Sequence, residues 1–569
     1  MGGYRCIGHY GDYKPADLYA PTMKFTENVI GRQPVDLFCI VALALLTLLS
    51  WVPRWQGPID LRWDGGAYFI LGTSLAEGKG YRLLNEPGEI LADQYPPMLP
   101  CLIAAHQAIL KTNDPVLVGI WLRRTWIVIS VAYIVFAFLL ARLFVSTAYA
   151  FWLSLVCLMS YDMYYLATLC FAELPFALTT VLFAYLYLRK DGASWTRYLA
   201  PAFAIASYLL RSMGIALLGA WVADALLRKQ FRRAAIRAAV SLMPILAWQT
   251  YVHSVEARPD YQHPYYAYQR APSMFYNVSY AVNMQLKDPF RPDLGNASLG
   301  DLCYRFFDNV LALPSTLGQS VTAREGFYRG HVKAFNLAVG RAVLPHWPYK
   351  VLLNFLGLLV LLGVVCLMLR RQWLIGCTVL LTVAAVCTTP WPGQFARYLA
   401  PILPLLLLAL LALLQAGAVY VRRILPAFRG THDMKALRLS VLAVILCESA
   451  IALQSGNRNF LEPAVYQDAT GKQHPYHLLH YSEAYPDVEG ALRWLVPRAG
   501  SGAVIAVSMP QWVYLKSGLK TVLPPLTTDP VKAGQLIDSV PVSFVIVERL
   551  LMDDNFNEYF PRPCRKKSR

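Results

Sequence analysis

Long apolar segments recur along most of the chain, and short polar loops separate them. They lie at 35–53, 124–145, 147–163, 172–188, 197–210, 212–228, 235–254, 348–369, 372–389, 398–421 and 436–454. An apolar run of about 18 residues or more is long enough to cross the hydrocarbon core of a bilayer as a helix. The pattern therefore predicts a mainly α-helical, polytopic membrane protein with about eleven transmembrane helices.

The apolar segment from Pro97 to Leu110 is excluded from this count. It is short for a span and begins with prolines, so we interpret it as a helix that lies on the outer surface. Its exclusion places the basic clusters on the same side as residues 1–34, as the positive-inside rule requires, with Arg123 and Arg124 as exceptions outside. The clusters are Arg189/Lys190/Arg197, Arg228/Lys229/Arg232/Arg233/Arg237, Arg370/Arg371 and Arg422/Arg423/Arg429/Lys435. The first 34 residues are therefore predicted to be a cytoplasmic tail, preceding a transmembrane domain at 35–454.

Three regions are predicted to lie outside the cytoplasm. They are a first loop at 54–123, a large loop at 255–347 and a C-terminal segment at 455–569. The large loop is rich in tyrosine, either as a functional cover or as an anchor to the interface (Tyr261, Tyr265, Tyr266, Tyr268, Tyr276 and Tyr280). In the C-terminal segment, strand patterns at 502–508, 521–523 and 543–548 alternate with helical patterns, which predicts a small parallel α/β domain. We expect this domain to be a structural or acceptor-docking cap.

Composition supports the membrane assignment and excludes two other classes. The chain of 569 residues is 56% hydrophobic and 15% charged, with a mean hydropathy of +0.39, which excludes a soluble globular protein. The net charge of +17 comes from residues clustered in short loops, so it indicates topology and anionic-lipid contacts rather than nucleic acid. The eleven cysteines contain no CxxC pair, so they imply neither a disulfide framework nor a zinc site. No cleavable signal peptide is apparent.

An acidic residue, Asp64, follows the first apolar segment by about a dozen residues. That position predicts a carboxylate at the membrane–water boundary, where a lipid-linked substrate presents its head group. The Asp64-x-x-x-Tyr68 spacing places both side chains on one face of a helix. Glu173 and Arg211 are further charged residues that topology places at outer helix ends. A charge at such a depth is costly unless it is paired or hydrated, so Glu173 is a functional candidate.

These residues occur in motifs that resemble the GT-C class of membrane glycosyltransferases, which use polyprenyl-phosphate sugars. Within this class the chain looks like the protein mannosyltransferases and aminoarabinose transferases. The resemblance covers about residues 35–420 and lies in the order of five short motifs. They are the loop around Asp64, Tyr95-Pro96-Pro97, Glu173-Leu174-Pro175-Phe176, Arg211-Ser212-Met213-Gly214 and Arg397-Tyr398-Leu399-Ala400-Pro401.

The resemblance implies a role for each site residue. Asp64 is expected to be the catalytic base and Glu173 to orient the acceptor or the sugar, while Arg211 and Arg397 grip the phosphate. The remaining expected substrate contacts are Tyr68, Tyr398, Arg62 and Arg82.

The chain departs from the class at two points. Gly65 stands where relatives often have a second acidic residue, and Asp60 either assists Asp64 or is only a solvated charge. Tyr95-Pro96 stands where some relatives have a Lys-Pro pair, so a phosphate-binding lysine does not carry over. We expect no required metal, because Asp64, Glu173 and His253 or His346 have no ligand spacing in sequence.

The expected function is transfer of a hexose or pentose from a polyprenyl-phosphate donor to a lipid, glycan or protein acceptor. The reaction would occur on the outer face of the membrane, the plasma (inner) membrane in a bacterium, with inversion at the anomeric carbon. One alternative is a transporter or flippase of lipid-linked sugars, but that would favour charges near span midpoints and inverted repeats. A non-catalytic membrane scaffold is the other alternative, against which the intact Asp64 argues.

Overall fold

The computed structural model describes residues 34–189, 194–345, 347–424, 431–457, 463–527 and 529–548. In the first half the helices are α1 (Pro34–Trp51), α2 (Asp64–Ala76), α3 (Met98–Leu110), α4 (Pro115–Arg142), α5 (Thr147–Met159), α6 (Tyr161–Thr168), α7 (Glu173–Leu188), α8 (Ser194–Leu210), α9 (Ile215–Leu227) and α10 (Phe231–Glu256). They continue as α11 (Pro259–Gln262), α12 (Tyr280–Met284), α13 (Leu299–Val321), α14 (Glu325–Val339), α15 (Trp347–Leu369), α16 (Trp373–Cys387), α17 (Phe395–Leu399), α18 (Leu403–Ile424) and α19 (Thr431–Asn457).

The described helices contain several that are long and apolar enough to cross a membrane. By length and composition they lie at Pro34–Arg54, Pro115–Arg142, Trp347–Leu369, Pro392–Ala418 and Arg438–Gly456, and each overlaps a segment predicted from the sequence. A sixth candidate is α5 with α6, bent by 53° at their junction. Shorter apolar helices correspond to the remaining predicted spans, except that 235–254 lies in the longer α10. The mainly helical architecture is confirmed, and the count of eleven stays a prediction.

The centre of the bundle is α7, which packs against α4 and α8. Between Leu405 and Ala412 every residue of α18 is buried, which accounts for its nearly uninterrupted leucine sequence. Buried ion pairs also join helices: Arg142 Nε of α4 lies 2.9 Å from Asp36 Oδ1 of α1. Because an unpaired charge in the interior is costly, such pairs fix which helices are neighbours.

The large outer loop contains two long helices that the sequence analysis did not predict. Ser298 and Asp301 form a capping box that begins α13. This amphipathic helix packs along α15, where the backbones approach closely at two glycines. A Cβ atom on Gly318 would lie 2.0 Å from the Leu353 carbonyl oxygen, and one on Gly357 would lie 1.7 Å from the Pro314 carbonyl oxygen. Part of the loop is thus an integral layer of the bundle.

The C-terminal region contains the predicted parallel sheet. Its elements are β1 (Pro463–Gln467), β2 (Gln473–His477), α20 (Ala484–Leu495), β3 (Val504–Ala506), α21 (Pro510–Ser517), β4 (Lys520–Val522), α22 (Pro530–Asp538) and β5 (Val542–Val545). Strands β4 and β5 flank β3, both parallel to it. The antiparallel hairpin β1–β2 was not predicted. We call residues 463–548 the C-terminal unit; the division into domains and its side of the membrane stay predictions.

The C-terminal unit docks on the first loop through polar contacts. The backbone N–H of Thr521 donates to the Asn85 carbonyl oxygen at 2.8 Å, and the Asn85 side chain donates back to the Thr521 carbonyl oxygen at 3.2 Å. Lys520 Nζ lies 2.8 Å from Glu89 Oε1. These contacts hold the unit over the start of α2, where Asp64 lies.

Candidate functional site

Four of the residues singled out in the sequence form one network of hydrogen bonds and ion pairs. Arg397 Nη2 lies 2.5 Å from Asp64 Oδ2, and Arg397 Nε donates to Glu173 Oε1. Arg211 Nη1 lies 2.6 Å from the same Glu173 oxygen. Asp64 and Glu173 begin α2 and α7, Arg211 lies between α8 and α9, and Arg397 lies in α17. Two carboxylates and two guanidiniums therefore meet with their formal charges balanced.

Asp64 is held by hydroxyl groups as well as by Arg397. The Tyr95 hydroxyl donates to Asp64 Oδ1 at 3.1 Å, and the Tyr276 hydroxyl donates to the same oxygen at 3.4 Å. Burial acts to raise the pKa of Asp64, but the guanidiniums of Arg397 and Arg211 and the Tyr95 hydroxyl outweigh it and hold this pKa below its ordinary value. Asp64 is therefore ionised in this arrangement.

The backbone around Asp64 is strained and crowded. Trp63 has a φ of +53°, a conformation that bulky residues rarely adopt. A Cβ atom on Gly65 would lie 3.2 Å from the Asp60 carbonyl oxygen and 3.5 Å from Cys170 Cβ. This packing gives a physical reason for glycine where similar proteins often have a second acidic residue.

Glu173 is fully buried at the start of α7, with a side-chain exposure of 0%. The positive end of the helix dipole and the two guanidiniums stabilise its charge. Oε1 accepts a hydrogen bond from Arg397 and forms an ion pair with Arg211, whereas Oε2 has no hydrogen-bond partner among the described residues. Glu173 thus fixes the spacing of Arg211 and Arg397.

Aromatic rings surround the network. The rings of Tyr68 and Tyr95 lie 4.6 Å apart between centroids. The Arg211 guanidinium lies 5.5 Å from the centroid of the Tyr398 ring, and that of Arg397 lies 4.3 Å from the Phe171 ring. Tyr68 and Tyr398, both expected substrate contacts, thus lie beside the charged residues.

Two other expected substrate contacts are engaged elsewhere. The Arg62 guanidinium is buried, with Nη2 2.7 Å from Asp60 Oδ2 and 2.6 Å from the Leu479 carbonyl oxygen, so it fastens the C-terminal unit. Arg82 Nη1 donates to the Glu89 carbonyl oxygen at 2.8 Å within the first loop. The structure does not bring either arginine into the network, and their role in substrate binding stays a prediction.

The interpretation of Asp60 as a solvated charge requires correction. Asp60 is 2% exposed, and its carboxylate is paired with Arg62, two positions further along the chain. Asp162 of α6 is also buried and is hydrogen-bonded to Arg324. Hydropathy gave no sign of either pairing, because burial of a charged pair depends on tertiary packing.

The network borders a cavity of about 780 Å³, a size typical of ligand sites. Asp64, Arg211 and Arg397 line one part of it. Another part is lined by residues of α6, of the start of α14 and of the C-terminal unit, namely Tyr161, Tyr165, Arg324, His480, Gln511 and Trp512. No group of three or more His, Cys, Asp and Glu side chains is arranged to hold a metal ion within the described ranges. His253 does not line the cavity, and His346 lies outside the described residues.

Sequence reasoning missed much of this lining. Tyr95 was noted only as part of a motif, and Tyr276 and Tyr280 only as members of a tyrosine-rich loop. The clustering of tyrosines in a long loop was the available signal, since an aromatic loop of that length is typical of functional covers. No pattern in the C-terminal unit singled out Gln511 or Trp512.

Comparison with known proteins supports the fold. No protein-family model and no curated protein matched the chain. The apo oligosaccharyltransferase of Archaeoglobus fulgidus is similar in structure, with a TM-score of 0.50, 13% identity, and coverage of 90% of this chain and 69% of that one. AglB of that organism, in complex with an inhibitory peptide and a dolichol-phosphate, gives a TM-score of 0.48 at 13% identity over 90% of this chain and 69% of its own. ArnT from Cupriavidus metallidurans bound to undecaprenyl phosphate gives 0.38 at 14% identity over 90% and 89%.

At such identities the likeness establishes the fold alone. The chain shares its fold with the apo oligosaccharyltransferase of Archaeoglobus fulgidus, which agrees with the resemblance to the GT-C class that the motif order indicated.

Proposed function

We propose that the protein transfers a sugar from a polyprenyl-phosphate-linked donor to an acceptor hydroxyl on the outer face of the membrane. The observation that carries the proposal is the network of Asp64, Glu173, Arg211 and Arg397 on the wall of a large cavity in a GT-C fold. Such a reaction needs a base, cations for the leaving phosphate and shelter from water. The network and its cavity supply all three.

The two arginines hold the leaving phosphate. Their guanidiniums are now occupied by carboxylates, so a phosphate that binds them competes with Asp64 and Glu173. Guanidinium–phosphate hydrogen bonds are charge-assisted and frequently bidentate. When the phosphate takes donors of Arg397, Asp64 loses its closest cationic partner. Its pKa then rises, which makes Asp64 a stronger base only after the donor is bound.

The freed Asp64 carboxylate accepts the proton of the acceptor hydroxyl. The acceptor oxygen attacks the anomeric carbon from the side opposite the phosphate while the bond from carbon to phosphate oxygen breaks. The polyprenyl phosphate leaves with that electron pair, held by Arg211 and Arg397, and the anomeric configuration inverts. Glu173 keeps the two guanidiniums in position, since both lie against its Oε1. Because the guanidiniums supply the positive charge, we propose that no divalent ion is required.

The substitution Asp64→Asn tests the proposal. It removes the base while keeping the side-chain volume, so transfer should fall about 10²–10⁴-fold. The assay measures release of polyprenyl phosphate from synthetic polyprenyl-phosphate hexoses and pentoses by purified protein, with envelope extract as the acceptor source. The matched control is Asp260→Asn, at an exposed aspartate on α11. Size-exclusion profiles establish that both variants fold. Activity of Asp64→Asn above about a tenth of the unmodified protein would contradict the assignment of the base.

A further inference from the structure

We propose that the part of the cavity formed by α6 and the C-terminal unit is the acceptor subsite, and that it binds a neutral sugar through Gln511 and Trp512. The inference rests on the proposed function, because it takes the cavity as the place of transfer. It names the class of acceptor, which the fold leaves open.

Gln511 is the observation that indicates a ligand. Gln511 is 3% exposed and lines the cavity, yet its carboxamide makes no hydrogen bond with any residue that the structure describes. The amide of a cavity-lining glutamine offers two donors and one acceptor, and no described residue occupies them here. A bound molecule with hydroxyl groups would satisfy both kinds of group at once.

The position of Gln511 places such a molecule near the base. Gln511 packs directly on α2 at Gly66, which is two residues beyond Asp64. A Cβ atom on Gly66 would lie 2.9 Å from Gln511 Cβ. Gln511 and Asp64 line the same cavity. An acceptor hydrogen-bonded to Gln511 therefore lies on the side of the cavity where the proton is removed.

Aromatic rings line the same cavity. Trp512 lies edge to face with Tyr485, with ring centroids 5.6 Å apart and an interplanar angle of 89°. The rings of Tyr161 and Tyr165 are stacked and nearly parallel, with an interplanar angle of 6°. The C–H groups on a pyranose face suit the electron-rich face of an aromatic ring, and its rim of hydroxyls suits an amide.

The charges in this part of the cavity are compensated, which favours a neutral ligand. Arg324 is hydrogen-bonded to Asp162. Burial, with the nearby guanidiniums of Arg62 and Arg324, lowers the pKa of His480, so this imidazole is neutral at pH 7. Its Nε2 is 2.7 Å from the Tyr161 hydroxyl oxygen. A phosphorylated or acidic acceptor would find no unpaired cation among these residues.

Glycan binding by full-length protein in nanodiscs tests the inference. The array carries neutral oligosaccharides, uronic-acid and phosphorylated oligosaccharides, and unmodified peptides, and saturating polyprenyl phosphate fills the donor region. We expect binding to neutral oligosaccharides. Gln511→Leu should weaken it about tenfold, because the hydrogen bonds of the amide are lost without loss of volume. Trp512→Leu should weaken it similarly, whereas Trp512→Phe should restore most of it.

The controls are Gln467→Leu and Trp494→Leu, at exposed residues of the same unit. Binding of the neutral glycans should be unchanged in both, and thermal unfolding verifies that every variant folds. Absence of neutral-glycan binding, preference for peptides or acidic glycans, or equal effects in test and control variants would overturn the inference. A protein that transfers sugar to a peptide would keep the proposed function and lose this inference. A protein that binds neutral glycans but never uses a polyprenyl-phosphate donor would keep this inference and lose the proposed function.

Discussion

At the scale of single residues, the sharing of Arg397 between two carboxylates determines how the site responds to substitution. Arg397 contacts both Asp64 and Glu173, whereas Arg211 contacts Glu173 alone among the carboxylates of the network. Removal of Arg397 would therefore change the base and the phosphate grip together. Removal of Arg211 would weaken phosphate binding without changing the base directly, since Asp64 keeps Arg397 as its closest cation.

We predict that Arg211→Ala weakens donor use by about 10–150-fold. Charge-assisted hydrogen bonds to phosphate contribute roughly 1.5–3 kcal/mol, which corresponds to that range. Arg211→Lys should recover only part of the loss, because lysine keeps the charge without the planar fork. The measurement is the KM and kcat for a synthetic polyprenyl-phosphate sugar.

The control for this prediction is Arg370→Ala, at a predicted cytoplasmic residue that contacts Gln415. Its donor kinetics should match those of the unmodified protein. If Arg211→Ala stayed within about twofold of that control, the phosphate grip would have to be assigned to other residues.

A second residue-scale prediction concerns Asp93, which is 1% exposed in the first loop. Burial raises the pKa of Asp93 to about 7, against the opposing effect of Arg270. The charged or titratable groups that face it are Arg270, Glu256, Tyr251 and Tyr261. The folded protein thus holds the proton more tightly than the unfolded chain, so stability falls as pH rises from about 4 through 7.

Replacement by Asn removes this titration. We therefore expect the Tm of the unmodified protein to fall by a few degrees between pH 5 and pH 8, and that of Asp93→Asn to fall less. Differential scanning fluorimetry across this range measures both, with Asp260→Asn as the exposed control. A steeper fall in Asp93→Asn than in the unmodified protein would contradict the assigned pKa.

The sequence could locate the charged residues of the site but not their partners. Glu173, Arg211 and Arg397 stood out because each lies at the edge of an apolar segment, where an unpaired charge is costly. Asp64 stood out because it follows the first apolar segment by about a dozen residues. The bond from Arg397 to Asp64 joins residues 333 positions apart, and that from Arg324 to Asp162 joins residues 162 apart. Hydropathy carries no information on such long-range pairs. Asp60 was misinterpreted although its partner Arg62 is only two positions away, because the burial of that pair is set by tertiary packing.

At the scale of elements, uniformly apolar helices were predictable and amphipathic ones were not. Helices α1, α15 and α18 are long apolar runs, and their segments were predicted closely. Helix α13 has only a stripe of buried residues, among them Leu313 and Leu317, and exposes Tyr304, Phe307 and others. Its average composition therefore resembles that of a polar loop, and the packing against α15 becomes visible only in three dimensions.

The packing of α13 on α15 leads to a prediction for Gly357→Ala. The added Cβ would meet the Pro314 carbonyl oxygen at 1.7 Å, so the helices must separate. Overpacking of this kind costs about 1–3 kcal/mol. Since α13 also packs against α17, which carries Arg397, donor use should fall together with the Tm.

Gly417→Ala in α18 is the matched control, because a Cβ there meets no atom within 4 Å. Its Tm and donor kinetics should remain close to those of the unmodified protein. Equal Tm values for Gly357→Ala and Gly417→Ala would show that the contact between α13 and α15 is looser than the structure indicates.

At the scale of the whole molecule, the cavity is assembled from three regions that are far apart in the chain. The first loop supplies Asp64, the large loop supplies Tyr276 and Tyr280, and the C-terminal unit supplies Gln511 and Trp512. For all three to reach one substrate, they must lie on the same side of the membrane. The sequence anticipated this from the distribution of basic residues, and their meeting in one cavity is consistent with it.

The last prediction tests on which side of the membrane the cavity lies, with single cysteines in a cysteine-free background. Arg233→Cys should resist an impermeant maleimide in intact cells, whereas Asp260→Cys and Lys472→Cys should be labelled; all three positions are exposed in the structure. The expectation follows from the positive-inside rule, which places the arginines at the start of α10 in the cytoplasm. Permeabilised cells provide the control, since every position should then react. Labelling of Arg233→Cys alone in intact cells would invert the topology and place the cavity on the cytoplasmic side. In that case donors and acceptors would have to be sought inside the cell, while the chemistry of the network would be unchanged.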